Sequence, residues 1–236
     1  IGELTTTGAE RVAVIGNAAS AVQFVPFVAQ EAQKLLIYQR SANWVSRKRD
    51  RPYQDWEKKL MRLFPIAKRM SRLKIYLRNE LIAYHAIKGN RLAYWLLKMA
   101  CLNYLNRTVT VESLRQKLLP DYPIGAKRIL VADGYYEALI RENVELITDP
   151  IDAIDETGIL TRSGRHYPCD VIIFGTGFVT NPFLDGISVR GREGRALSDH
   201  WSEGARAYLG IATSEFPNLF FMYGPNTNLG HNSILL

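Results

Sequence analysis

A glycine-led turn stands between two apolar segments near the start of the sequence, in the run Gly16-Asn17-Ala18-Ala19-Ser20-Ala21. Such a turn binds the diphosphate of a dinucleotide when its first position turns tightly, its third lets the backbone approach the phosphates and its sixth is small. Gly16 and Ala21 meet the first and last requirements, whereas the methyl group of Ala18 lies where a phosphate would approach. The helix N-terminus that follows still favours an anion. The run predicts a dinucleotide site, and an ordinary strand–turn–helix connection stays open as the alternative.

A second polar group, Gln39-Arg40-Ser41, follows the next apolar segment about 20 residues further on, where a site for NAD carries an Asp or Glu. A carboxylate would repel a ribose 2′-phosphate, whereas a guanidinium beside a hydroxyl binds one through charge-assisted hydrogen bonds. The sequence therefore predicts a preference for NADPH. The competing interpretation is a surface arginine at the end of a strand.

These residues require a parallel sheet to position them. Residues 11–15 and 34–39 are the short apolar runs typical of buried parallel strands, and residues 17–33 are predicted to form a helix kinked at Pro26. Strand, glycine turn, helix and strand make a right-handed βαβ unit. Further along, strands are predicted at 143–148, within a small meander over 151–169, at 170–174 and at 219–223.

The middle of the chain is predicted to be a helical insertion, because apolar residues recur there at helical spacing without alternation. A basic stretch over residues 47–78 begins it. We interpret this stretch as a solvated helical face, and nucleic-acid binding through it is the less favoured alternative.

Composition limits the remaining classes. The chain has 236 residues, of which 47% are hydrophobic and 22% charged, which is ordinary for a globular protein and excludes a disordered one. Cys101 and Cys169 have no partner at metal or redox spacing, and the four histidines show no ligand spacing, so no metal site is expected. No apolar run is long enough to span a bilayer, so no stable membrane insertion is expected. The chain begins at Ile1 and carries no leader sequence, from which we expect an internal part of a cytoplasmic protein.

Six stretches of the sequence, taken in order, resemble the flavin-dependent Baeyer–Villiger monooxygenases, relatives of the flavin-containing monooxygenases. The stretches are residues 11–21, 38–44, 122–128, 133–136, 174–178 and 224–233. The resemblance implies an α/β fold: a Rossmann-like NADPH-binding domain with a helical insertion, plus an incomplete part of a second dinucleotide domain, which binds FAD. The implied segments are 1–45 and 122–178 for the NADPH-binding domain, 46–121 for the insertion and 179–236 for the FAD domain. The first FAD fingerprint of the family would lie upstream of Ile1.

The resemblance also implies an activity. Such enzymes use NADPH and FAD to insert one oxygen atom of O2 into a ketone or a soft heteroatom through a flavin peroxide. The implied partners are a small-molecule substrate, O2 and the rest of the FAD domain, with no nucleic acid, and the chain alone is expected to be inactive. The open alternative is a degenerate NADP-binding or structural module without catalytic activity, since Ala18 departs from the fingerprint.

The resemblance assigns roles to a few residues by their position in the sequence. Arg40 and Ser41, assisted by Lys127, would hold the 2′-phosphate, and Arg128 matches the family's active-site arginine, which stabilises the flavin peroxide. The motif Gly175-Thr176-Gly177 would pass close to the cofactors, and Asn226, with Thr227 and Asn228, would approach the flavin through backbone groups. Val179 stands where many relatives carry Asp, which leaves the subclass open.

Overall fold

The computed structural model describes residues 10–48, 50–177, 183–184 and 186–227, and of Asn79 the backbone only. The chain divides into two compact units between residues 177 and 178. The strands, in chain order, are β1 (Arg11–Ile15), β2 (Lys34–Tyr38), β3 (Val45–Ser46), β4 (Leu130–Val131), β5 (Val144–Ile147), β6 (Ile151–Ile154), β7 (Gly158–Thr161), β8 (His166–Pro168) and β9 (Val171–Phe174). The helices are α1 (Ala21–Glu31), α2 (Asp55–Leu63), α3 (Pro65–Arg78), α4 (His85–Ile87), α5 (Arg91–Thr108), α6 (Glu112–Lys117), α7 (Tyr135–Leu139) and α8 (Leu197–His200), with a π-helical stretch at Asn79–Tyr84 and a 3-10 turn at Arg192–Gly194.

The first unit is built on a parallel sheet of order β5-β2-β1-β9. A parallel sheet is covered on both faces, so its strands need continuous apolar runs. Val12, Ala13 and Val14 of β1 are fully buried, and the residues of β2 from Leu35 to Tyr38 are at most 4% exposed. The predicted α/β class and the strands around residues 11–15, 34–39, 143–148 and 170–174 are confirmed.

Helix α1 packs on this sheet through Ala21, Val22 and Val25, which are at most 1% exposed. It begins at Ala21, not at residue 17 as the sequence predicted, because residues 18–20 form a turn before the helix. Pro26 lies inside it, as predicted. The side-chain amide of Asn143, just before β5, donates to the carbonyls of Ala29 and Ala32 and so satisfies acceptors at the C-terminal end of α1.

The insertion is helical, as the sequence predicted, from α2 to α6. The two-residue strands β3 and β4, which the sequence did not reveal, pair in parallel with Val45 opposite Leu130. This pairing joins the chain entering the insertion to the chain leaving it. Beyond β5, strands β6, β7 and β8 form the antiparallel meander that the sequence predicted. None of the helices in the described ranges has the length and apolarity to cross a membrane.

The second unit has a small core in which Leu197, Trp201 and Phe216 are at most 9% exposed. The strand predicted at 219–223 is wrong. Only an isolated bridge between Ala212 and Phe220 forms there, with one backbone hydrogen bond from Phe221 to Ile211. The backbone turns on both sides of this segment, so its alternating apolar residues pack on the core without a strand partner.

Candidate functional site

The backbone at Gly16 follows directly from the end of β1. Its φ is +106°, a left-handed conformation that favours glycine, and a Cβ there would lie 2.5 Å from the carbonyl oxygen of Gly175. The Gly16 N–H donates to the Tyr38 carbonyl oxygen at the end of β2, at 3.0 Å. The turn is therefore fixed between the carboxyl ends of β2 and β9.

This position is the switch point of the sheet. From β1 the chain passes to β2 and β5 on one side, whereas β9 pairs on the other side with Ile15 opposite Phe174. Ligands of open α/β sheets bind in the crevice at such a point, outside the carboxyl ends of the strands. Gly16 follows one of the two diverging strands and Gly175 follows the other. Two of the motifs predicted to contact cofactors, at Gly16 and at Gly175, thus lie next to each other at the switch point.

Small side chains allow the backbone at Gly16 and Gly175 to lie close together. Ala21 is fully buried, and a Cβ built on Gly175 would lie 3.6 Å from the Ala21 Cβ. Ala18, Ala19 and Ser20 are exposed, and Val22 already donates its N–H to the Ala18 carbonyl oxygen. The Ser20 side chain forms no cap on α1. The turn before the helix is therefore exposed to solvent at the N-terminal end of α1, and the positive end of a helix dipole favours an anion.

Asn17 connects the turn to the predicted 2′-phosphate corner. Its side-chain Nδ2 donates to Gln39 Oε1 at 2.8 Å and to the Ser41 carbonyl oxygen at 2.9 Å. Asn43 in turn donates its Nδ2 to the Asn17 carbonyl oxygen at 3.1 Å. Gln39, only 4% exposed, donates its Nε2 to the Lys117 carbonyl oxygen. Gln39 therefore serves the framework, and Ser41 is held against the turn.

Lys127 joins the same network through Tyr122. The Tyr122 hydroxyl donates to Asn43 Oδ1 at 3.3 Å, and the Trp44 indole donates to the Tyr122 carbonyl oxygen at 3.0 Å. Burial raises the pKa of Tyr122, so its hydroxyl stays protonated as the donor at neutral pH. The Lys127 Nζ lies 4.4 Å from the centre of the Tyr122 ring, within cation–π range. The loop of residues 122–128 is thereby anchored to the corner after β2.

The core beneath this loop is apolar. Trp44, Cys101 and Ile124 are each at most 5% exposed and form one cluster. Burial raises the pKa of the Cys101 thiol to about 12, so this cysteine is a packing residue without thiolate chemistry. Sequence patterns did not reveal Asn17, Asn43 or Tyr122 as framework residues, because their partners lie far away along the chain.

The remaining predicted residues lie at the rim. Arg40 and Arg128 are exposed, and neither has an ion-pair or hydrogen-bond partner within the described part of the chain. Thr176 and Gly177 are exposed after β9. Asn226, in the second unit, has a left-handed φ of +62°, and the neighbouring Thr227 hydroxyl donates to the Gly224 carbonyl oxygen. Asn228 and Val179 lie outside the described residues, and the roles assigned to all of these positions stay predictions.

The segments around the crevice have an uneven charge. Residues 16–21, 39–44, 122–128 and 174–177 include Arg40, Lys127 and Arg128 and contain no Asp or Glu. An anion bound there would meet cations and backbone N–H groups without a carboxylate to repel it.

Comparison with known proteins agrees with this geometry. No protein-family model matches the chain. A Baeyer–Villiger monooxygenase of Pseudomonas aeruginosa is 41% identical over 229 residues, which are 96% of this chain and 43% of that protein. A Baeyer–Villiger monooxygenase of Streptomyces coelicolor is 33% identical over 228 residues, covering 96% of this chain and 44% of the relative. The chain is homologous to the flavin-dependent Baeyer–Villiger monooxygenases. The resemblance predicted from the sequence is confirmed, and the chain spans less than half the length of these curated relatives.

Solved structures of Baeyer–Villiger and related monooxygenases share the fold. An oxidized steroid monooxygenase bound to NADP is 30% identical, with a TM-score of 0.75 over 92% of this chain and 48% of that chain. A structure named OTEMO in complex with FAD and NADP is 27% identical, with a TM-score of 0.78 over 95% of this chain and 49% of that one. These structural neighbours confirm the Rossmann-like fold class that the sequence predicted.

Proposed function

We propose that the chain is the NADPH-binding part of an NADPH- and FAD-dependent monooxygenase that inserts one oxygen atom of O2 into a ketone or a soft heteroatom. The observation that carries this proposal is the crevice at the switch point, where the Gly16 turn is hydrogen-bonded through Asn17 to the Gln39–Ser41 corner. The relatives, named as Baeyer–Villiger and FAD-binding monooxygenases, support the reaction class.

The residues present fit NADPH. The glycine at residue 16 and the exposed turn before α1 suit a diphosphate, because the N-terminal end of a helix that follows a tight turn favours an anion. Arg40, with no partner of its own among the described residues, and the Ser41 hydroxyl would bind the 2′-phosphate. Lys127, held over the Tyr122 ring, would add a second positive charge. Gln39 cannot repel that phosphate as a carboxylate would.

For FAD the fit is partial. The turn at Gly16 leads from β1, a strand of the four-stranded parallel sheet, into α1, and we assign it to NADPH. We therefore propose that the first unit approaches FAD through the segment 175–177. Bound FAD would accept the hydride of NADPH and activate O2. Arg128 would keep a fixed positive charge beside the reacting atoms, because a guanidinium does not deprotonate.

Titrating the 236-residue chain with NADPH and with NADH, by calorimetry, tests the nucleotide site. We expect NADPH to bind at least about tenfold more tightly, the smallest effect of one charge-assisted hydrogen bond. We also expect 2′,5′-ADP to compete with it.

The second candidate function is a degenerate module without nucleotide binding. It rests on Ala18, whose exposed methyl group lies on the turn where a glycine would let the diphosphate approach. Absence of binding by both nucleotides, in a chain that circular dichroism shows to be folded, would favour this candidate. Restored binding in Ala18→Gly would then identify the methyl group as the obstacle.

A further inference from the structure

Helices α2 and α3 carry an apolar stripe whose members are all exposed. The stripe repeats at positions i, i+4 and i+7 on α2 and at i, i+4, i+7 and i+11 on α3, which places its members on one side of each helix. Its members are Trp56, Leu60 and Leu63 on α2 and Ile66, Met70, Leu73 and Leu77 on α3. Their exposed fractions run from 41% at Leu77 to 66% at Trp56, and neither helix has a buried residue. Amphipathic helices normally bury such a stripe, so this one is suited to an external partner.

The same two helices carry most of the chain's net charge. Residues 55–78 contain eight Lys or Arg and two Asp or Glu, a formal charge of +6 in a chain whose total is +7. Both acidic side chains are already paired: Arg51 binds Glu57 through two contacts of 2.7 Å, and Lys58 lies 3.0 Å from Asp55. The basic side chains without an acidic partner in the described ranges are Lys59, Arg62, Lys68, Arg69, Arg72, Lys74 and Arg78. The partner should therefore be both anionic and apolar.

We propose that α2 and α3 form a peripheral docking surface for an anionic lipid bilayer. A helix with Trp and Leu on one side and Lys and Arg on the other lies in the interface of a membrane, with its apolar side among the acyl chains. Anionic headgroups attract the basic side chains at the same depth. Both observations, the uncovered stripe and the unpaired cations, are satisfied by this one partner.

Nucleic acid and a second copy of this chain each satisfy only one of the two observations. Nucleic-acid phosphates would neutralise the cations but leave the aliphatic side chains in water. A second copy of this chain would cover the stripe but bring two surfaces of charge +6 together. These occupants are outcomes of the test below.

Cosedimentation of the 236-residue chain with lipid vesicles tests the proposal. One set of vesicles contains phosphatidylcholine alone, and the other contains equal parts of phosphatidylcholine and phosphatidylglycerol. We expect binding to the anionic vesicles, weak or no binding to the neutral ones, and a loss of binding at roughly 0.5 M NaCl, where charges are screened within a few ångströms. Tryptophan emission should shift to the blue on binding, and this shift should disappear in Trp56→Phe, which keeps the apolar side chain.

Two double variants test the contributions of the apolar stripe and of the basic side chains separately. Met70→Ser/Leu73→Ser and Arg69→Glu/Arg72→Glu change exposed side chains only, so the fold should persist, and each should weaken vesicle binding by about tenfold or more. The matched control Arg107→Glu/Arg162→Glu makes the same change of charge at exposed positions outside α2 and α3 and should bind as the parent chain does.

Three results would overturn the proposal: no binding to anionic vesicles, unchanged binding by the serine variant, or an equal loss in the control. A dimer that the serine variant dissociates, without vesicle binding, would assign the surface to a second copy. Salt-resistant binding to RNA, without vesicle binding, would assign it to nucleic acid. None of these measurements depends on NADPH, so the proposal is tested separately from the proposed function.

Discussion

The side chains of Asn17 and Gln39 are joined by a hydrogen bond of 2.8 Å, from Nδ2 to Oε1, although 22 residues separate them in the chain. The bond joins the turn after β1 to the residue after β2. Because Gln39 is buried and its Nε2 is used by the Lys117 carbonyl, its amide cannot rotate to accept another arrangement without losing that bond. Asn17 therefore fixes the distance between the Gly16 turn and the Gln39–Ser41 corner.

Replacing Asn17 by Ala should weaken this connection. The change leaves the buried Oε1 of Gln39 without a donor, which costs about 1–3 kcal/mol of unfolding free energy. Under the proposed function, NADPH binding should also weaken more than binding of the adenosine diphosphate portion alone, since the corner moves relative to the turn. Urea unfolding measures the first effect, and calorimetry with NADPH and ADP measures the second.

The variant Asn17→Asp tests the same connection more strongly. A carboxylate there would face two acceptors, Gln39 Oε1 and the Ser41 carbonyl oxygen, and would add a negative charge beside the phosphate site. We expect it to weaken NADPH binding more than Asn17→Ala does. Equal NADPH affinities for the parent and both variants would show that the connection has no part in nucleotide binding.

Gly16 and Gly175 form a matched pair for testing the close approach of the two strand ends. Gly16→Ala puts a Cβ 2.5 Å from the Gly175 carbonyl oxygen at a φ of +106°, and we expect it to destabilise the fold by about 3 kcal/mol. Gly175→Ala puts a Cβ at 3.4 Å from the Ile15 carbonyl oxygen, an ordinary contact, and should cost less than about 1 kcal/mol. Denaturant unfolding measures both, and equal losses would contradict the geometry.

Periodicity made the framework of this fold predictable from the sequence. The buried runs at β1 and β2 and the glycine between them define the βαβ unit, because a parallel strand needs apolar residues on both faces. The pairing of β3 with β4 was not predictable, since two residues carry no period. The false strand at 219–223 shows the converse: Phe220 and Met222 alternate with packed residues, but the backbone beside them pairs only through one isolated bridge, at Phe220.

The candidate site, like the fold, was predictable from the sequence only in part. The sequence predicts Gly16, Arg40 and Ser41 as nucleotide-binding residues, because their spacing follows from the length of a helix and a strand, and these roles stay predictions. The Asn17, Asn43 and Tyr122 contacts were not predicted, because side-chain hydrogen bonds across the crevice depend on tertiary placement that no local pattern encodes.

Arg40→Ala should lower the preference for NADPH over NADH. Loss of a charge-assisted hydrogen bond to the 2′-phosphate costs about 1.5–3 kcal/mol, which corresponds to roughly 10- to 150-fold in NADPH affinity. NADH carries no such phosphate, so its affinity should stay constant. Arg162→Ala, an exposed arginine of the β7–β8 turn, serves as the control. An equal loss of affinity for NADPH and for NADH would show that Arg40 does not bind the 2′-phosphate.

Arg128 and its neighbour Lys127 should differ in what their loss affects. In the whole enzyme loaded with FAD, Arg128→Ala should abolish oxygenation of a ketone or sulfide while flavin binding persists, because a fixed charge beside the reacting atoms is lost. Lys127→Ala should raise the Kd for NADPH but leave the product formed per NADPH oxidised unchanged. The ratio of product to NADPH consumed, with flavin content from absorbance, separates the two. Normal oxygenation by Arg128→Ala would remove the residue from the catalytic site.

Arg11 and Asp170 tie the first residue of β1 to the residue that precedes β9. The Arg11 side chain donates to both Asp170 oxygens, at 2.6 and 3.1 Å, and its backbone N–H donates at 2.7 Å. These bonds, that of the guanidinium first, lower the pKa of Asp170 from 3.8 to about 2. A carboxyl whose pKa is lower in the folded state stabilises the fold above its unfolded pKa, and this contribution is lost as the pH falls through the folded pKa.

Asp170→Asn should therefore be less stable than the parent chain at pH 6, and the difference should narrow as the pH falls from about 4 towards 2, where the parent's carboxyl becomes protonated. Urea unfolding at a series of pH values measures this. Asp152→Asn is the control, because Asp152 is exposed and has no ion pair within the described ranges. A stability difference that stays constant from pH 6 to pH 2 would mean that Asp170→Asn destabilises the fold through its geometry and not through the loss of charge. The ion pair between Arg11 and Asp170 would then not cause the loss of stability in acid.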